Sequence, residues 1–251
     1  MAASLYLSFT DYDLFSTPNW IGLGNYRDLF TDDERFFTSV WVTVKYVLIS
    51  TPLKLAAALA VAVLLNRASK AQGFYRSAFY APSLLGASVA VALAWRVIFD
   101  KWAVNPDTSI LVLVALAVWQ FGAPMVIFLA GLQQVPKELY DASSVDGAGP
   151  WRTFRSVTLP MLSPVIFFNL VLETIHAFQA FTGAFVISGG RGGPVDSTLF
   201  YTLYLYQKGF TEFRMGYASA MAWVLVLVVA LITALLFGTS RRWVFYAGEE
   251  R

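Results

Sequence analysis

The chain of 251 residues contains no cysteine, which excludes disulfides and thiolate metal sites. A single histidine leaves no HExxH-type cluster, and the scattered Ser, Asp and His residues form no recognisable nucleophile–base set for an intramembrane enzyme. Charge is scarce as well: Asp, Glu, Lys and Arg make up 14% of the residues, where a soluble domain carries roughly a quarter. The net charge of +2 gives no indication of nucleic acid. No GxxxxGK[ST] phosphate loop is present, and SGGRGGPVDST lacks the required lysine followed by Ser or Thr, so the chain is not expected to bind ATP itself. What is plentiful is apolar. With 57% hydrophobic residues and a mean hydropathy of +0.59, the composition is that of an integral membrane protein.

About 20 apolar residues are needed to cross a bilayer core. Five segments meet that requirement: Phe36 to Leu65, Ser77 to Phe99, Ser109 to Leu132, Met161 to Ile187 and Gly216 to Gly238. Aromatic residues crowd their ends, as at Phe36, Phe37 and Trp41 or Trp243, Phe245 and Tyr246, in the manner of interfacial belts. The opening MAASLYLSFTDYDL has neither a basic n-region nor a full h-region; it reads as the outer end of an earlier helix. The expected fold is therefore an all-α polytopic helix bundle with five visible spans.

Orientation follows from the loops. The stretch NRASKAQGFYR carries Arg67, Lys70 and Arg76 without an acid and is placed in the cytoplasm. Alternation then puts residues 136–160 and the tail RRWVFYAGEER inside, and residues 1–35, 100–108 and 188–215 outside. Lys plus Arg number nine inside against six outside, and the acids five against ten. The inside loop ELYDASSVDGAGPWRTFRSVTLP predicts a helix, a turn and a second helix. Pro136 suits a first turn and Glu138 favours the positive helix end, while DGAGP breaks the run. Trp151, Phe154 and Val157 then recur every three residues on one side.

This loop resembles the EAA signature loop of the permease subunits of ABC importers. Asp141, Ala142 and Ser143, then Gly147, then Val157, Leu159 and Pro160 keep every spacing of that pattern, with Asp for Glu, Ser for Ala and Val for Ile. Further stretches, including WIGLGNYRDLFTDDERFFTSVWVT, IFLAGLQQVPKELYDASSVDGA and SGGRGGPVDSTLFYTLYLYQKGF, resemble sugar-type permeases similar to the maltose type. Two departures stand beside the resemblance: such permeases have a further N-terminal helix, and their outer loop is longer than 100–108. The resemblance implies an extracytoplasmic segment 1–35, a transmembrane domain 36–251, and a coupling loop 136–160 that docks on a separate ATPase. Asp141, Ala142, Ser143, Gly147, Trp151, Phe154, Val157, Leu159 and Pro160 are the coupling residues it implies. ATP and Mg then belong to two partner ATP-binding subunits, beside a second permease, a solute-binding protein and the lipid of a bacterial or archaeal cytoplasmic membrane. A permease for glycerol phosphate or another polar solute is the alternative, followed by a secondary transporter or channel.

Polar groups inside spans are costly and mark a passage or a neighbour. On the fourth span, Asn169, Glu173, His176, Gln179 and Thr182 recur at steps of four and three, predicting one stripe about 19 Å long at ~1.5 Å per residue, flanked by Phe178 and Phe181. Amides, carboxylate and imidazole suit sugar hydroxyls, and aromatic faces suit pyranose rings. The same stripe can equally join a partner helix. Lys54 beside Pro52, Gln120 near Gly122, and Ser219 with Trp223 are weaker candidates for the cavity, and Lys54 can also snorkel. No residue is expected to bind a metal.

Overall fold

The apolar runs fold into helices, and breaks fall where glycine, proline or polar residues interrupt them. The computed structural model describes residues 1–66, 72–86 and 88–245. In chain order the helices are α1 Ala2–Leu7, α2 Gly24–Thr31, α3 Glu34–Leu65, α4 Gln72–Leu85, α5 Val89–Ile98, α6 Asp100–Ala103 and α7 Ser109–Trp119. They continue as α8 Gly122–Gln134, α9 Lys137–Val145, α10 Pro150–Thr153, α11 Leu159–Phe178, α12 Thr182–Ile187, α13 Tyr201–Tyr206 and α14 Met215–Ser240. Among the described residues there is no strand, only an isolated antiparallel bridge between Thr10 and Trp20. Arg67, Lys70 and the end of the tail from Tyr246 to Arg251 lie outside the described residues.

Among the described residues three stretches are long and apolar enough to cross a membrane: α3, the run Pro150–Ile187, and α14. The two other expected spans are each a broken pair, α4 with α5 and α7 with α8, which brings the count to five when each pair is taken as one span. Proline is tolerated inside α3, α4 and α11, at Pro52, Pro82 and Pro164, because membrane helices find other partners for the freed backbone groups. The fourth span differs from its expected form. Its helix stops at Phe178 and restarts at Thr182, so Gln179 and Thr182 do not share one uninterrupted helical stripe with Asn169, Glu173 and His176. The apolar pattern runs on through this break, which left nothing in the hydropathy to mark it.

One compact unit gathers Met1–Ile49, Ala87–Leu116 and Ile175–Thr233. Within it the side chain of Asn25 donates to the carbonyls of Ser8 and Thr10, at 2.9 and 2.8 Å, and so pins the N-terminal segment. The amide of Gly216, at the start of α14, donates to the Tyr12 carbonyl at 2.9 Å; a Cβ at Gly216 would run into the Thr10 carbonyl. Tyr201 is buried with its amide on Thr43 Oγ1 and its hydroxyl on the Met221 carbonyl. Helix α5 packs on α12, where Arg96 donates to the Val186 carbonyl at 3.2 Å. Beyond α12, Gly189, Gly190, Gly192 and Gly193 all take positive φ, a conformation that glycine adopts without steric cost.

The second unit gathers Ser50–Gly86, Ala117–Thr174 and Ala234–Arg251. Its core joins Leu55, Ala58 and Ala62 of α3 to Met125, Phe128, Leu129 and Leu132 of α8 and Leu162 of α11. The residues from α3 and from α8 recur at three- and four-residue steps, so one face of each of these two helices turns inward. Lipid gives apolar side chains little reason to prefer one another, and close approach through small residues takes the place of the hydrophobic drive. Gly131 supplies that approach: a Cβ there would lie 2.8 Å from Leu162 Cδ1 and 2.9 Å from Val165 Cγ2. Gly122 does the same for α8 against α4, where Ser83 Oγ donates to the Gln120 carbonyl at 2.9 Å and accepts the Ala123 amide at 3.0 Å.

Candidate functional site

The signature stretch forms an elbow. Helix α9 ends in a turn whose amides fold back: Asp146 on the Ala142 carbonyl, Gly147 on Ser144 and Ala148 on Ser143, at 3.0, 3.1 and 2.9 Å. Gly147 sits at φ +70, in the left-handed region, with open space around it. Gly149 and Pro150 then start α10, proline occupying a first-turn position where no amide is needed. The chain next winds as a π turn, Phe154–Thr158, closed by the Leu159 amide on the Phe154 carbonyl, and runs straight into α11. The sequence predicted the second helix; its π winding is an addition that residue spacing does not reveal.

Side chains lock the two arms together. Ser143 is buried, donates to the Tyr140 carbonyl at 2.8 Å and meets Thr153 Oγ1 at 3.2 Å. The Tyr140 hydroxyl meets Thr158 Oγ1 at 3.3 Å. Asp141, Ala142 and Gly147 are exposed, Val157, Leu159 and Pro160 half-buried, and Trp151 stacks on Phe154 with ring centroids 5.7 Å apart. Two apolar side chains stand out from the elbow, Val145 at 88% and Trp151 at 72% exposure. All nine predicted coupling residues thus lie on one braced element.

The predicted path residues divide. Asn169 is buried and donates to the Val165 carbonyl at 3.0 Å, one turn back on its own helix. Glu173 is buried too, and its Oε2 accepts from Lys54 Nζ at 2.7 Å, with the two side chains 11% and 16% exposed. The carboxylate is therefore one half of an ion pair, joining two residues 119 positions apart. His176 and Gln179 are exposed, and Thr182 is half-buried at the start of α12. Phe181 packs on Phe185 and Tyr206. Phe178 is buried and lines a cavity of about 240 Å³ with Phe36, Phe37, Val44, Tyr201 and Val228, a largely apolar wall.

Sequence reasoning passed over a cluster ahead of α3. Asp33 Oδ1 accepts the Phe36 amide at 3.1 Å, as an N-cap does, and the carboxylate also accepts the hydroxyls of Tyr204 and Tyr217. Lys208 lies over both rings, Arg35 over Tyr204 and Arg214 over Tyr217. Burial alone would raise the Asp33 carboxyl; the two phenols, the Phe36 amide and the Lys208 charge outweigh it and hold the group below its ordinary value. Burial pushes the Tyr204 phenol up, and Asp33 adds to that. Arg35 also clamps Asp196 through two hydrogen bonds of 2.9 and 2.8 Å. The Asp-Asp-Glu run before an apolar helix was a legible cap signal; its tyrosine partners, over 170 positions away, were not. Among the described residues no three His, Asp or Glu side chains gather as a metal centre would need.

Residues 34–244 match the family described as binding-protein-dependent transport system inner membrane component. The chain is 51% identical to the probable ABC transporter permease protein YesP of Bacillus subtilis, over 100% of this chain and 87% of that protein. It is 33% identical to the arabinooligosaccharides transport system permease protein AraP of the same organism, covering 89% and 78% of the two chains. Among solved structures, a chain of a bacterial ABC transporter involved in the import of alginate superimposes with a TM-score of 0.81 at 19% identity, covering 96% of this chain and 88% of that one. A braced elbow running directly into a membrane-spanning helix, together with these matches over most of the length, gives one conclusion: the chain belongs to the binding-protein-dependent transport system inner membrane components, and is a permease subunit of the sugar ABC transporter type.

Proposed function

We propose that this permease moves a sugar or oligosaccharide inward by alternating access, and that ATP hydrolysed with Mg on two separate subunits drives it through the 136–160 elbow. The observation that carries this reading is the pairing of rigidity with exposed apolar groups on that elbow. Val145 and Trp151 are held out by a hydrogen-bonded helix–turn–helix that continues without a loop into α11. A tryptophan presented this way is a typical interface hot spot, contributing about 2 kcal/mol or more when a partner's cleft buries it. Pulling the elbow then moves α11 itself.

The remaining parts of the reading follow from charge and chemistry. The elbow faces the cytoplasm of a bacterial or archaeal cell, and residues 1–35 and 188–215 face outward to a solute-binding protein. A second, homologous permease completes the pore. Contacts to sugar hydroxyls are assigned to His176, Gln179 and Thr182, with Phe181 offering a ring face; Asn169, Glu173 and Phe178 have commitments elsewhere. The test is reconstitution of the whole assembly in vesicles with its binding protein, followed by uptake of arabinotriose, maltotriose, an alginate trisaccharide and glycerol 3-phosphate, with and without ATP. ATP-dependent accumulation of at least one of the three sugars is expected. Flux that ignores ATP would establish a channel or secondary transporter instead, and uptake of glycerol 3-phosphate alone would replace the sugar.

A further inference from the structure

Within its unit, α11 is joined to α3 by the Lys54–Glu173 ion pair. Glu173 lies fourteen residues beyond Leu159, about 21 Å along α11 from the elbow at ~1.5 Å per residue. Lys54 sits on α3 two residues after Pro52, where one bond of the helical ladder is missing. The two helices thus meet through a 2.7 Å ion pair, 11% and 16% exposed, next to the point at which α3 bends most easily.

Such a pair is an odd choice if stability is all it serves. Desolvating two charges costs several kcal/mol each, and a buried ion pair is commonly no better than two well-packed apolar side chains, though removing one partner alone is severe. Its advantage over an apolar contact is direction: it fixes one register between the helices. Two other polar groups lie one turn away on these helices, and neither carries a charge. The Thr51 hydroxyl, one turn before Lys54, is buried without a hydrogen-bond partner, and the Asn169 amide, one turn before Glu173, is spent on the Val165 carbonyl.

We propose that Lys54 is a positioning residue for transport, whose ammonium holds Glu173 so that displacement of α11 is passed to α3. This rests on the elbow being the point where ATP-driven motion enters. It makes the pair a mechanical latch that touches neither solute nor nucleotide.

The test uses the reconstituted assembly with Lys54→Met, Glu173→Gln, the two together, and the exchange Lys54→Glu with Glu173→Lys. Uptake is measured with whichever of arabinotriose, maltotriose and the alginate trisaccharide drives the unsubstituted assembly, and ATP hydrolysis and thermal stability are measured alongside. The latch predicts that Lys54→Met and the neutral double variant lose about tenfold in sugar taken up per ATP hydrolysed, while the exchange recovers most of it. The double variant keeps the stability of the parent, which separates positioning from folding. Uptake per ATP within about twofold of the parent in the double variant overturns the latch and leaves the import reading standing. Failure of the unsubstituted assembly to accumulate any of the three sugars with ATP overturns the import reading itself.

Discussion

The carboxylate of Asp33 receives the hydroxyl of Tyr204 on both of its oxygens, at 2.7 and 2.6 Å. Since Tyr217 donates to the same group, one acid caps α3 and ties it to α13 and α14 inside a single compact unit. The folded carboxyl is held below its ordinary value, so its contribution is fully present above the unfolded value of about 3.9 and is lost as pH falls through the folded value. Asp33→Asn is expected to lower stability by about 1–3 kcal/mol at neutral pH. Thermal unfolding in detergent from pH 7 to pH 3 checks this: the gap between parent and variant closes only at the acid end.

Gly147 turns the elbow at φ +70 with nothing near its missing Cβ. Gly147→Asp meets only backbone strain, roughly 1–2 kcal/mol, and the protein stays in the membrane. On the proposed coupling role, binding-protein-stimulated ATP hydrolysis and uptake are expected to vanish, because the added side chain stands on the exposed turn of the elbow. Normal transport by this variant would refute the coupling role.

Trp151 is 72% exposed, so Trp151→Ala removes little from the fold itself, within about 0.5 kcal/mol. Its effect is expected on assembly: affinity of the ATP-binding subunits for the permease falls about thirtyfold, the equivalent of ~2 kcal/mol. Co-purification across a dilution series in detergent measures it.

Gly122 packs its bare Cα against the backbone of α4; an added Cβ would strike the Phe79 carbonyl and lie 2.8 Å from Tyr80 Cα. Backbone cannot swing aside as a side chain does. Gly122→Ala is therefore expected to destabilise by about 1–3 kcal/mol, seen as a lower melting temperature and faster proteolysis.

Thr51 buries a hydroxyl with no partner. Thr51→Val, of nearly the same shape, removes that cost and is expected to be neutral or stabilising by about 1 kcal/mol, a rare favourable change in a buried polar position. A melting temperature lower than the parent's would show that the hydroxyl has a partner in the membrane.

The spans were legible because hydrocarbon demands length and apolarity, and both are linear properties of a sequence. The elbow was legible because a fixed spacing and a glycine turn are local. The fourth span misled for the same reason: apolar residues continue across Gln179 to Phe181, so hydropathy carried a single helix through a break at which Thr202 Oγ1 donates to the Ala180 carbonyl at 2.5 Å. Phe178 read as a sugar-stacking ring because its place beside polar residues is visible in the sequence; the largely apolar wall around it, from α3, α13 and α14, is not. Glu173 pointed to function through the cost of a lone charge, but its partner stands on a helix that no pattern links to it.

The joint at Phe154–Thr158 is wound wider than the helix it feeds, with each amide reaching one residue further back. Such winding keeps a residue of slack in reserve. Rewinding it to α geometry would advance the chain by about 1.5 Å and swivel whatever precedes it by roughly 100°. If the elbow transmits force as proposed, that reserve lets a displacement of α9 and α10 arrive at α11 as rotation as well as translation.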